Sequence, residues 1–258
     1  MTAKSFKITA FCLFYFAIFS NCFAQFRDMY NSDLHLNGYV DSVILTSCIS
    51  YTYAGQILTL DGSRQIMIYN KQGQLKQIYS YSYKALPNEG APEPVRNIYN
   101  YDSSNNLIEI NQYFDTNKSL AKYTYTIKRG LVVCKGYSRL DNSLLGEDTL
   151  KLDSSGKTIE RDSYARGVGL FTKSYFKYDV NNRLIEENTY RKDGSLMFTH
   201  YCQYDEDGNI KKDSNPFGSR ETLTYSYAQY DKMHNWLIQI ESSGAYFVQI
   251  NERRITYY

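Results

Sequence analysis

The chain has 258 residues, with 29 Lys and Arg against 27 Asp and Glu, and 27 of its residues are tyrosine. A near-neutral balance with no basic stripe excludes nucleic acid and an anionic membrane surface as natural partners. The length suits one large all-β domain as well as two small ones.

Lys4 and Lys7 precede an apolar run from Ile8 to Phe19, which is followed by Cys22-Phe23-Ala24. A basic start, an apolar stretch too short to span a bilayer and a small residue before a cut predict a signal peptide over 1–24, cleaved before Gln25. Without it the chain carries 27 basic and 27 acidic residues, no membrane-spanning segment, and Cys48, Cys134 and Cys202. An odd, sparse set of cysteines reads as small buried hydrophobes rather than a disulfide framework.

From about residue 69 to 258 a unit of 26 residues repeats, anchored at Asp153, Asp179, Asp205 and Asp231. Gly156, Asn182, Gly208 and His234 follow three residues later, as Asn105 follows Asp102 and Gly73 follows Asn70. Asp at the first turn position accepts from backbone N–H groups just ahead, and Gly or Asn three on takes a left-handed conformation. This predicts hairpin turns closed by a bulge. Gly130 fills the slot between Asp102 and Asp153 without an aspartate. An apolar residue follows each turn, as at Leu75, Leu107, Leu184, Ile210 and Trp236.

A second turn halfway through each unit, such as Lys192-Asp193-Gly194-Ser195, divides it into two strands of roughly eight or nine residues. Residues 85–94 read as a loop insertion holding three of the four prolines. Val40 to Leu45 and Arg254 to Tyr258 also read as strands. The expected fold is an all-β antiparallel hairpin repeat forming a twisted, elongated or rolled meander sheet, in one domain over 25–258. Tyr69, Tyr101, Tyr178, Tyr204 and Tyr230 should form a ladder on one face.

Units such as Tyr204-Asp205-Glu206-Asp207-Gly208-Asn209-Ile210 and Tyr178-Asp179-Val180-Asn181-Asn182-Arg183-Leu184 resemble the YD repeats of RHS-type bacterial surface and toxin proteins. That resemblance implies strands wound into a wall, and a secreted protein at the periplasm or cell surface of a bacterium. It also raises the alternative of a toxin-associated shell fragment.

The residues offer little chemistry. Asp205-Glu206-Asp207-Gly208 looks like part of a calcium loop, but strands flank it and the further ligands are missing, so a plain turn is expected. His200 and Cys202 share a strand face without a third or fourth ligand in sequence. No metal, cofactor or catalytic residue is assigned. Glu186-Glu187 should point to opposite faces, and Leu184, Glu186, Asn188 and Tyr190 should share one of them. Such faces suit lipid poorly, which argues against an outer-membrane barrel. The expected function is a non-enzymatic envelope protein with a binding or scaffolding role, its partner a glycan or an envelope protein. Exposed rings would carry glycan contact. Trp236, Tyr178, Tyr204 and Tyr230 are the candidates, although a core position is the better expectation for Trp236. The alternative is a carbohydrate-active enzyme with dispersed carboxylates.

Overall fold

The computed structural model describes residues 36–53, 56–82, 94–114, 118–128, 130–214, 222–243 and 247–258. The expected signal peptide, His35 and most of the expected loop insertion lie outside these residues. The regular elements among them are β-strands: β1 (Val40–Tyr53), β2 (Gln56–Tyr69), β3 (Leu75–Ser82), β4 (Val95–Tyr101), β5 (Leu107–Phe114), β6 (Lys118–Lys128), β7 (Leu131–Ser138), β8 (Leu144–Leu152), β9 (Thr158–Ala165), β10 (Gly169–Tyr178), β11 (Leu184–Arg191), β12 (Leu196–Tyr204), β13 (Ile210–Ser214), β14 (Thr222–Tyr230), β15 (Trp236–Ser243) and β16 (Phe247–Tyr257).

Each strand pairs antiparallel with its neighbours in sequence, as a meander should. The sheet nevertheless differs from an open or rolled one: β1 pairs with β16 from Val40↔Tyr257 to Tyr51↔Phe247, which closes a barrel. Two exposed edges are a liability that closure removes. The seam is fastened at one rim, where the Tyr258 N–H donates to the Tyr39 carbonyl (3.0 Å) and its phenol to the Tyr69 carbonyl (2.6 Å).

The aspartate turns line that same rim. In the Asp153 turn, Oδ1 accepts from the N–H groups of Ser155 (2.8 Å) and Lys157 (2.9 Å). The same pair of bonds forms at Asp102, Asp179 and Asp231. Asn70 makes it with a neutral side chain. Asn105, Asn182 and His234 have φ of 66°, 68° and 61°, alongside Gly73, Gly156 and Gly208 in the same region. At Gly130 the connection is shorter, since Lys128 pairs directly with Leu131. A two-residue connection has no place for the aspartate.

Beside the Asp102, Asp153, Asp179 and Asp205 turns a register shift marks a bulge, for example between Lys177 and Tyr178 opposite Leu184. A bulge disrupts the ladder locally, and tyrosine phenols supply donors there. Tyr101 donates to the Leu75 carbonyl, Tyr178 to that of Thr158 and Tyr204 to that of Leu184, each at 2.8 Å. The tyrosine repeat is thus explained by backbone satisfaction between successive units. Tyr230 breaks the expected ladder. Gln229 sits at φ 58° and Tyr230 is 41% exposed, while Tyr227 takes its place and donates to the Ile210 carbonyl at 2.9 Å.

The apolar core fills the inside near this rim. One cluster joins Tyr99, Leu107, Ile110, Tyr123, Val132, Phe176 and Leu184, and another joins Val40, Val43, Met67 and Tyr69. Tyr123 is fully buried and lies on Gly136, where a Cβ would come within 3.0 Å of its ring.

The aspartate turns carry a pH dependence. Hydrogen bonds from Asn106 hold Asp102 below its ordinary value, and bonds from Lys157 and Ser155 do so for Asp153. At Asp179 and Asp231 burial pushes the other way, but bonds from Arg183 and from Tyr257 and Asn235 outweigh it, so both are also lowered. A lowered folded-state pKa contributes stability that is present above the unfolded value and lost as pH falls through the folded value. The protein should therefore lose thermal stability as pH falls through the carboxylate range. A variant with Asn at all four positions keeps the turn geometry, as Asn70 does, and should show a flatter acid profile. Parallel acid profiles for the two proteins would remove the turns as the cause.

Candidate functional site

Inward and outward positions alternate along each strand, so the wall has two chemically distinct faces. The inner face becomes polar above the apolar core. Arg161 on β9, Glu187 on β11, Asp213 on β13 and Gln239 on β15 occupy one position in successive 26-residue units. The repeat places them in one layer, and Arg161, Glu187 and Gln239 are 6%, 2% and 4% exposed. Arg161 Nη2 reaches Glu187 Oε1 at 2.9 Å and Ser174 Oγ at 3.2 Å. Ser174 Oγ bonds Thr189 Oγ1 at 2.7 Å, and Thr189 donates to Glu187 at 3.2 Å. Farther along, Gln239 donates to the Tyr227 phenol (3.0 Å) and accepts from Asn251 (2.8 Å).

Between these two networks lies a third group. His200 pairs in register with Glu187, and Cys202 with Asp213. His200 Nε2 contacts Asp213 Oδ1, and Cys202 Sγ lies 3.5 Å from the same nitrogen. Burial disfavours the charged ring, but hydrogen bonds to Asp213 and Cys202 outweigh it, raising His200 to about 10. The sequence shows His200 and Cys202 on one face without a third ligand. The β12–β13 hairpin brings a third donor beside them in Asp213, eleven positions beyond Cys202.

The outer face of β9 to β12 carries rings among charges. Tyr164, Tyr175 and Tyr201 are 39%, 42% and 53% exposed, and Tyr190 packs edge-on against Tyr175 with centroids 5.9 Å apart. Lys173 bonds Glu160 (2.7 Å) and Asp162 (3.1 Å), and Lys177 bonds Glu186 (2.8 Å). Thr199 donates to Asn188 at 2.7 Å. Further round the wall, Lys122 pairs with Glu109 and Lys135 with Glu147.

The ring candidates read from the sequence fall elsewhere. Trp236 is inside, 3% exposed, beneath Arg253, whose guanidinium carbon is 3.1 Å from the ring centroid. Tyr178 and Tyr204 point their phenols into the wall. Tyr230 alone of the four is exposed, at the rim beside the Asp231 turn. The outward tyrosines carry no aspartate motif: the tyrosine before the aspartate turns its phenol into the wall at Tyr178 and Tyr204, and Tyr164, Tyr175, Tyr190 and Tyr201 stand elsewhere in the strands.

Among solved structures, a porin-like protein from Bacteroides uniformis is similar to this chain over 86% of it and 99% of that protein, with 9% identity and a TM-score of 0.59. At that identity the likeness concerns the fold, an antiparallel β-barrel. A LolA superfamily protein from Nitrosomonas europaea covers 87% of this chain and 89% of its own at 8% identity, with a TM-score of 0.28. The TcdB2-TccC3-Cdc42 complex covers 78% of this chain and 9% of its own at 15% identity, with a TM-score of 0.28. Scores that low carry no inference, so the RHS resemblance rests on the repeat motif alone. No protein-family model matches the chain, and no curated protein matches its sequence.

Proposed function

We propose that this is a secreted, non-enzymatic barrel of the bacterial envelope that binds glycan on its outer wall. The observation that carries the reading is the strip of Tyr164, Tyr175, Tyr190 and Tyr201 among Lys173, Lys177, Glu186 and Asn188. Flat rings stack on the C–H faces of sugars, and alternating amide, ammonium and carboxylate groups match hydroxyls. Neutral overall charge favours an uncharged or mixed polymer over nucleic acid.

The ion pairs on the outer wall support a barrel that faces water. Charges on a lipid-facing strand cost about 2–4 kcal/mol each for Lys or Arg near the bilayer midplane, and here Lys122, Lys135, Lys173 and Lys177 all stand outside. The barrel thus shares a closed meander with a protein described as porin-like while its wall favours solvent. The carboxylates near the strip are tied to cations: Glu160 and Asp162 to Lys173, and Glu186 to Lys177. That pairing supports a binder rather than an acid–base pair for glycoside hydrolysis, which would keep two carboxyls about 5–9.5 Å apart and available.

Binding of peptidoglycan fragments and envelope polysaccharides to the chain from Gln25 tests the reading. Tyr175→Ala and Tyr201→Ala should leave the melt nearly unchanged and each remove about 1–3 kcal/mol of binding, by analogy with base stacking on aromatics. Full binding by the double variant would contradict the strip as the site.

A further inference from the structure

We propose that His200, Cys202 and Asp213 form a binding site for a divalent zinc-like ion inside the barrel. This site is separate from the outer tyrosine strip and stands or falls independently of it. Three donors of different kinds, an imidazole nitrogen, a thiol sulfur and a carboxylate oxygen, lie within 4.8 Å of one another. His200 and Cys202 are 8% and 7% exposed, and Asp213 is partly buried beside them.

His200 Nε2 faces both Asp213 Oδ1 and Cys202 Sγ. A protonated ring nitrogen donates one hydrogen bond, to Asp213, and leaves the sulfur as a weak second acceptor. With the ring and the thiol deprotonated, all three groups present lone pairs to one centre, which is what a metal ion requires. Zinc–ligand bonds of about 2.0–2.3 Å set tetrahedral donors roughly 3.3–3.8 Å apart; the Sγ to Nε2 separation of 3.5 Å already matches this, while His200 Nε2 and Asp213 Oδ1 are in direct contact and must move apart to share an ion.

Charge also balances. With a divalent ion the group is neutral with imidazole, carboxylate and thiolate, any protons on the ring and the sulfur passing to solvent as the ion enters. Neutral groupings are what a buried layer tolerates. A nitrogen, sulfur and oxygen donor set selects zinc over magnesium or calcium, which prefer oxygen alone. Three protein donors leave a fourth position for water or a ligand group.

The test uses the chain from Gln25 with Cys48→Ser and Cys134→Ser, so that Cys202 is the one remaining thiol. Metal-free protein titrated with cobalt(II) should take up one equivalent and develop a thiolate-to-cobalt charge-transfer band, which added zinc(II) should abolish. Asp213→Asn should weaken uptake by on the order of 10–100-fold or more, since even outer partners of a metal site cost that much. Cys202→Ser should remove the band. Because that variant could fail to fold, X-ray absorption of the zinc-loaded parent provides a second reading, with one sulfur expected in the first shell. A folded parent that binds no cobalt, a band that survives Cys202→Ser, or a zinc shell of nitrogen and oxygen only would overturn the site.

Discussion

Replacing Trp236 with alanine should lower the stability of the barrel by about 3–5 kcal/mol. The ring is 3% exposed, packs against Tyr227 with centroids 5.6 Å apart, and lies under the Arg253 guanidinium. Truncation leaves a cavity where β14, β15 and β16 meet and takes the aromatic face from a cation that is itself 4% exposed. A buried cation–ring contact is worth about 2 kcal/mol or more, so the loss should fall at the upper end of the range. Thermal or urea melts read it directly. A melt equal to that of the parent would mean the ring is not packed inside.

Glu187→Gln should cost a similar amount, about 3–5 kcal/mol, because it breaks a buried ion pair from one side. Arg161 and Glu187 are both nearly fully buried and joined at 2.9 Å, with Ser174 and Thr189 closing the network. Glutamine keeps the shape and removes the charge that balances Arg161. Pairing it with Arg161→Met removes the stranded cation, so the double variant should recover much of the loss. The shortfall from additivity measures the coupling. Single and double variants that lose stability additively would show that the two side chains act independently.

The turns were legible because their chemistry is local. Asp153 meets the N–H groups it bonds within four residues, and Gly156 supplies the left-handed step in the same span. The hairpin order followed from those turns. Closure was not legible, since it pairs Val43 with Ile255 across almost the whole chain and depends on accumulated twist rather than any motif. The bulges misled the alternation. Strict period two puts Leu184, Glu186, Asn188 and Tyr190 together, but the shift beside Tyr178 sends Leu184 inward with Glu187 and Thr189. Glu186, Asn188 and Tyr190 then face out, which is where the tyrosine strip comes from. Asp213 had a signal that went unused. It stands one 26-residue step beyond Glu187 and two beyond Arg161, so the repeat itself marks a polar inward layer.

Everything assigned to an inside and an outside depends on the sheet closing between β1 and β16. Native-state hydrogen exchange reads that seam directly. In a closed barrel the amides from Val43 to Ser47 and from Ile250 to Ile255 point alternately across the seam and to β2 or β15, and both sets should exchange as slowly as the amides of β7 and β8. Exchange at the alternate amides that point across the seam as fast as at Ser154 in an exposed turn, with the others still slow, would mean that β1 and β16 are free edges, and would contradict the barrel.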